Sequence, residues 1–226
     1  MQAFPQYLLL LRHGLSQANL VTEVKADGHY YPLTGSDAEV GLTPLGIDQS
    51  IAAGSLIARH FPAASPIGAV YLSPFRRVRQ TADEITRALG YQVTSQEDPQ
   101  LAKRSYGDFW NLTYLGVREL HPEEHRRFEQ QGRLAYRPPG GENYPDVFAR
   151  VDSFIDRAVM PSRQHLLVVT HAVVSLAFQR RFDGLSDDEV VRRYEEVELP
   201  NCHLIAYARS APEAPWQPHY LDAAGI

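Results

Sequence analysis

Cysteine occurs once in the 226 residues, at Cys202, so neither an intrachain disulfide nor a cysteine-based zinc site can form. A reducing compartment is the simplest reading. Long apolar runs are missing as well. The one near the start, Leu8 to Leu11, is bounded by Pro5 and by Arg12-His13. It is too short for a membrane span and lacks the basic flank and cleavage site of a signal peptide. Nor is there an excess of positive charge: 22 Lys and Arg stand against 27 Asp and Glu, a net charge of −5. A nonspecific nucleic-acid binder shows the opposite balance. Internal repeats and low-complexity tracts are lacking too. The chain is therefore expected to be cytoplasmic, with no membrane and no nucleic acid among its partners; its oligomeric state is left open.

Ordinary globular composition is present instead, with 44% hydrophobic and 22% charged residues. A chain of this length can bury a full core without staples. Short apolar runs alternate with amphipathic stretches. Tyr7–Leu11, Ile67–Leu72, His165–Thr170 and Asn201–Ala208 read as strands, with Tyr91–Thr94 a further candidate. Thr43-Pro44 opens a helix expected to reach about His60, Ser73-Pro74 opens one that Gly90 closes, and Asn143–Val159 and Ala172–Phe182 carry helical spacing. Ser186-Asp-Asp-Glu189 reads as a capping box. Residues 19–42 have no clear period and are long enough for a lid. Strands alternating with helices predict a three-layer α/β/α sandwich around a mostly parallel sheet. One domain over residues 1–226 is expected, with residues 97–142 inserted as a cap.

In such sheets ligands bind beyond the carboxyl ends of the strands, near the point where strand order reverses. The first strand is followed by Arg12, His13, Gly14, Ser16 and Asn19, the second by Ser73-Pro-Phe-Arg-Arg77, and the fourth by Thr170-His171-Ala172. Two histidines and at least two arginines thus converge on one edge with helix N-termini. That combination suits a phosphoryl dianion, because arginine forks match its oxygens and helix N-termini favour negative charge.

These segments resemble the histidine phosphatase superfamily, also called phosphoglycerate-mutase-like. The resemblance rests on Leu11-Arg-His-Gly-Leu-Ser-Gln-Ala-Asn19, Leu42-Thr-Pro-Leu-Gly46, Ser73-Pro-Phe-Arg-Arg-Val-Arg-Gln-Thr-Ala82, Gly141-Glu142-Asn143 and Val169-Thr-His-Ala172, in the family's order across about residues 6–208. It implies a phosphatase acting on a small phosphorylated substrate, with His13 as nucleophile. Arg12, Arg77 and a protonated His171 complete the phosphate pocket, and Ser16, Asn19, Ala172 and Glu142 lie beside it. Arg77, not Arg76, aligns with the family's arginine. No metal and no cofactor is implied. Chemically, a neutral imidazole attacks phosphorus in line to give a phosphohistidine, which water then hydrolyses. One ring nitrogen must donate its proton to a backbone carbonyl so that the other keeps a lone pair.

The chain departs from the family at the acid that protonates the leaving oxygen. The family has glutamate at the head of a Glu-Arg-x-Tyr-Gly segment; here Lys103-Arg-Ser-Tyr-Gly107 carries lysine. Lys103 itself could serve, its pKa lowered by surrounding arginines, or Asp108 could reach in from the same loop, buried by Phe109 and Trp110. Leu15 and Ala172 also replace a common glutamate and glycine. Two other functions remain open: a phosphomutase, with Arg126-Arg127 holding a substrate carboxylate, and a noncatalytic phospholigand-binding protein that lost the acid. His121-Pro-Glu-Glu-His125 matches a zinc-protease spacing. Pro122 in a first helical turn leaves His121 off the common face, however, and Arg126 and Arg127 oppose a dication. Cys202 reads as a core thiol on a strand, and the scattered cap arginines as either a solvated face or a second anion site.

Overall fold

The run Gln6–Arg12 forms β1, and its four consecutive leucines, Leu8 to Leu11, are fully buried. Strand side chains alternate between faces. Leu8 and Leu10 therefore join one hydrophobic core while Leu9 and Leu11 join another, on the opposite side of the sheet. Only a strand covered on both faces needs so continuous an apolar run. A computed structural model describes residues 5–23, 28–196 and 199–221.

Along the chain, β1 is followed by α1 (Gln17–Glu23), α2 (Pro44–His60), β2 (Ile67–Leu72), α3 (Arg76–Leu89) and β3 (Thr94–Glu97). The cap contributes α4 (Tyr114–Leu120) and α5 (Pro122–Ala135), and the chain returns through α6 (Tyr144–Phe154), β4 (His165–Thr170), α7 (Ala172–Asp183), α8 (Asp187–Glu196), β5 (Leu204–Arg209) and β6 (Gln217–His219). The sheet order is β3-β2-β4-β1-β5-β6. The first four strands are parallel, while β5 pairs antiparallel with β1 and β6 antiparallel with β5. Helices α2 and α3 cover one face, and α6 and α7 the other. This is the expected mixed α/β/α sandwich, and no described helix is long and apolar enough to cross a membrane.

Local chemistry explains the element ends. Thr43 Oγ1 accepts from the Gly46 amide at 2.9 Å, Pro44 occupies the first turn of α2, and α3 stops at Gly90, whose φ of 70° suits glycine. Asn143 and Asp146 close a capping box on α6, which continues as a single wide turn over Ile155–Val159. Other boundaries move. Helix α3 begins at Arg76 rather than Ser73, since Phe75 stays extended after Pro74. Strand β3 occupies Thr94–Glu97 rather than Tyr91–Thr94, and β5 begins at Leu204 rather than Asn201. Strand β3 is an exposed edge whose residues are set by pairing with Ala69–Leu72, not by an apolar pattern. Part of the 19–42 segment is ordered as α1 and a short turn at Asp37–Glu39, while residues 24–27 lie outside the described residues.

Candidate active site

Parallel pairing places the carboxyl ends of β2, β4 and β1 side by side. Arg12 pairs with Thr170, and the His13 amide donates to the Thr170 carbonyl at 3.0 Å. The two strand-end histidines therefore face each other, with ring centroids 5.1 Å apart. The loop after His13 is clamped from below. A Cβ on Gly46 would lie 2.1 Å from the Leu15 carbonyl oxygen, so α2 approaches this loop only because that residue is glycine. The Gly14 amide donates to Thr81 Oγ1 at 3.0 Å, and Asn201 Nδ2 donates to the His13 carbonyl at 3.0 Å.

His13 is buried, and its Nδ1 lies 2.8 Å from the Gly14 carbonyl, to which it donates. Burial above all, then the Arg77 charge, holds its pKa well below the usual histidine range, against the raising effect of the Gly14 bond. The ring is thus neutral at pH 7, with its lone pair on Nε2. Ser73 Oγ lies 2.8 Å from His171 Nε2, whereas the buried Nδ1 of His171 has no partner among the described residues. His171 was expected to be protonated. Burial, followed by Arg77 and His13, instead pushes its pKa well down, so it is neutral.

These groups line one cavity of about 500 Å³. Arg12, His13, Ser16, Asn19, Arg77, Lys103, His171 and Ala172 all reach it. Arg77 is buried on the inner side of α3, while Arg76 points outward. Arg12 donates through Nη1 to the Leu199 carbonyl. Asp108 does not reach the cavity: it is exposed, because its short turn presents Phe109 to the interior in its place. Glu142 also lies outside this cavity. Its carboxylate receives Arg150 Nε at 2.8 Å and the Ser105 amide at 2.9 Å, tying the cap to α6. The arginines of the cap divide. Arg104 and Arg133 line the cavity, whereas Arg126 and Arg127 are exposed and paired with Glu123 and Glu124 one turn back.

Residues 8–212 match the histidine phosphatase superfamily, branch 1. The chain belongs to this family. A bifunctional protein of Mycobacterium tuberculosis is 35% identical over 168 residues, which are 74% of this chain and 41% of that protein. The chain thus spans about two-fifths of the length of that relative. A 2,3-bisphosphoglycerate-dependent phosphoglycerate mutase of Chelativorans is 29% identical over 88% of this chain and 91% of its own. A candidate alpha-ribazole-5′-P phosphatase from Escherichia coli superposes with a TM-score of 0.75 at 22% identity, covering 99% of this chain and 98% of its own, and so shares the fold.

One residue at this histidine phosphatase site escapes a reading of the sequence. Asp37, from the segment read as a periodless lid, sets Oδ1 3.0 Å from Arg77 Nη2 and Oδ2 2.7 Å from Lys103 Nζ, and its carbonyl accepts from Arg77 Nη1 at 2.7 Å. Burial opposes its ionisation, but the Lys103 and Arg77 charges outweigh that and hold the carboxyl below its usual range. Lys103 is therefore in an ion pair rather than standing alone among arginines. The available signal was charge balance: three cations converge, and neither Asp108 nor Glu142 from the neighbouring motifs reaches the cavity to pair with them. Cys202 precedes β5 with a φ of 55°, its amide donating to the His13 carbonyl at 3.2 Å, and burial pushes its thiol up to about 11. That thiol is no nucleophile at pH 7. His121 packs on Phe109 while His125 bonds the Tyr114 hydroxyl, so the two rings share no common centre.

Proposed function

We propose that the protein is a phosphatase that hydrolyses a phosphate monoester through a phosphohistidine on His13. The observation that carries this reading is the committed tautomer of His13. Its Nδ1–H is spent on Gly14, so the Nε2 lone pair is free in a cavity that also holds Arg77 and His171. Attack by Nε2 forms the P–N bond as the ester P–O bond breaks. Arg12, Arg77 and His171 surround the phosphoryl oxygens and offset their charge. Water then displaces phosphate from His13.

The far wall of the cavity supports a bulky alcohol as the other half of the substrate. Tyr31, Trp110, Tyr114, Phe128 and Tyr136 converge there from the 28–42 segment and the cap. Such a wall suits a leaving group with a flat apolar or aromatic body. The mutase alternative loses its anchor, because Arg126 and Arg127 face solvent. Purified protein should release phosphate from an aromatic phosphate monoester, His13→Ala should abolish turnover, and added 2,3-bisphosphoglycerate should not stimulate it. Phosphate binding without turnover of any aryl or alkyl phosphate would contradict the proposal.

A further inference from the structure

Hydrolysis through an N-phosphoryl group moves a proton twice. One must reach the leaving oxygen as the P–O bond breaks, and one must leave the attacking water as the P–N bond breaks. Among the described residues Asp37 is the only carboxylate lining the main cavity, which His13, Arg77 and His171 line as well. The other proton-bearing groups serve less well. Lys103 is ion-paired with Asp37, its Nζ 2.7 Å from Oδ2, and an ammonium held in that pair has no lone pair to accept the proton from water. Burial above all pushes the Tyr136 hydroxyl up to about 12, which disfavours the phenolate that donation would leave. His171 has Nε2 engaged by Ser73.

We propose that Asp37 protonates the leaving alcohol and then takes the proton from the attacking water. This rests on the phosphohistidine reading above. Two charges hold Asp37 as a carboxylate, Lys103 first and Arg77 second, and both groups line the cavity that a phosphoryl group would enter. Arg77 gives both terminal nitrogens to Asp37, one to the side chain and one to the backbone. A phosphoryl dianion seated on Arg77 withdraws that cation from the carboxylate and adds negative charge beside it, which favours the protonated acid. The monoanionic substrate carries the proton needed, since the second phosphate pKa is near ~6. In the first step Nε2 of His13 bonds to phosphorus, the ester oxygen departs with the Asp37 proton, and Asp37 becomes carboxylate. In the second, water bonds to phosphorus, its proton passes to Asp37, and the P–N electron pair returns to Nε2. Phosphate departs as the monoanion, carrying away the proton on Asp37, so alcohol and phosphate are the products and Asp37 is again a carboxylate.

The test compares p-nitrophenyl phosphate, whose phenolate leaves without a proton, with 2-phenylethyl phosphate, whose alkoxide does not. Asp37→Asn should lower kcat/KM, which reads the first transfer, ~10²–10⁴-fold for the alkyl ester, the usual worth of a general acid, and far less for the aryl ester. Asp37→Glu should recover part of the alkyl activity. Phosphoenzyme trapped in alkali from p-nitrophenyl phosphate should accumulate in Asp37→Asn above wild type, because its hydrolysis also slows. Lys103→Met should affect both esters alike. An equal fall in kcat/KM on the two esters in Asp37→Asn would make Asp37 a holder of Arg77 only and overturn the assignment, as would no fall in Asp37→Asn or a selective alkyl loss in Lys103→Met. Absence of any phosphoenzyme in active wild type would instead overturn the phosphohistidine reading, and this assignment with it.

Discussion

At the scale of single residues, the site is built by removing protonation choices. His13 and His171 are both kept neutral, chiefly by burial and next by the Arg77 charge. In the unfolded chain the same imidazoles take up protons near pH ~6.5. Below that value the unfolded state therefore binds more protons than the folded state, and stability falls as pH drops through it. Buried His165 and half-buried His203 act in the same direction. Thermal unfolding followed from about pH 7 to about pH 5.5 should show a falling Tm, and His13→Gln should flatten that fall. Asp37 contributes in a lower window. Its folded pKa is depressed, so its share is full above the ordinary carboxyl value and is lost only as pH falls through the folded one. His13, Arg77 and His171 were legible in the sequence because strand ends and short motifs carry them. Asp37 was not, because its position is set by folding of a segment without period, and only the charges waiting for it hint at it.

At the scale of elements, helix starts and buried strands were readable and edges were not. Thr43-Pro44 marks α2 because one hydroxyl serves two backbone groups: Oγ1 accepts from Gly46 N and donates to the Leu15 carbonyl at 3.1 Å. Thr43→Ala should cost about 1 kcal/mol in a denaturant titration, the ordinary worth of an N-cap. Gly46→Ala should cost more, about 1–3 kcal/mol, since its Cβ meets the Leu15 backbone and the loop carrying His13 has to move. Turnover should fall with it. By contrast β3 and β6 are exposed or half-buried edge strands whose pairing, not composition, defines them. The loss of regularity over 97–142 was visible, but not that this segment would fold its aromatic residues over the site.

At the scale of the whole molecule, the 97–142 segment is joined to the 28–42 segment and to α6 by packing that no helix or strand pattern announces. Gly116 of α4 lets the His29 carbonyl approach where a Cβ would sit 2.1 Å away, and the Thr113 amide donates to that same carbonyl at 2.9 Å. Buried Arg104 donates to the Glu142 carbonyl at 2.8 Å and to the Tyr136 carbonyl at 3.2 Å while its guanidinium lies against the Tyr106 and Tyr144 rings. Glu142, read as a site residue or a cap, thus serves the junction between insert and sheet. If the cap sets the alcohol preference, Trp110→Ala should raise KM for 2-phenylethyl phosphate about three- to tenfold, the scale of one lost aromatic contact, with little change for a small alkyl phosphate.

The central claim is that phosphorus is transferred to Nε2 of His13. The measurement is rapid mixing with an aromatic phosphate ester, quenching in alkali, and peptide mapping with phosphorus NMR of the labelled imidazole. An acid-labile, alkali-stable phosphoryl group on His13 at Nε2, missing in His13→Ala, is the expected result. Active protein that carries no such group, or carries it at Nδ1 or on another residue, would contradict the account.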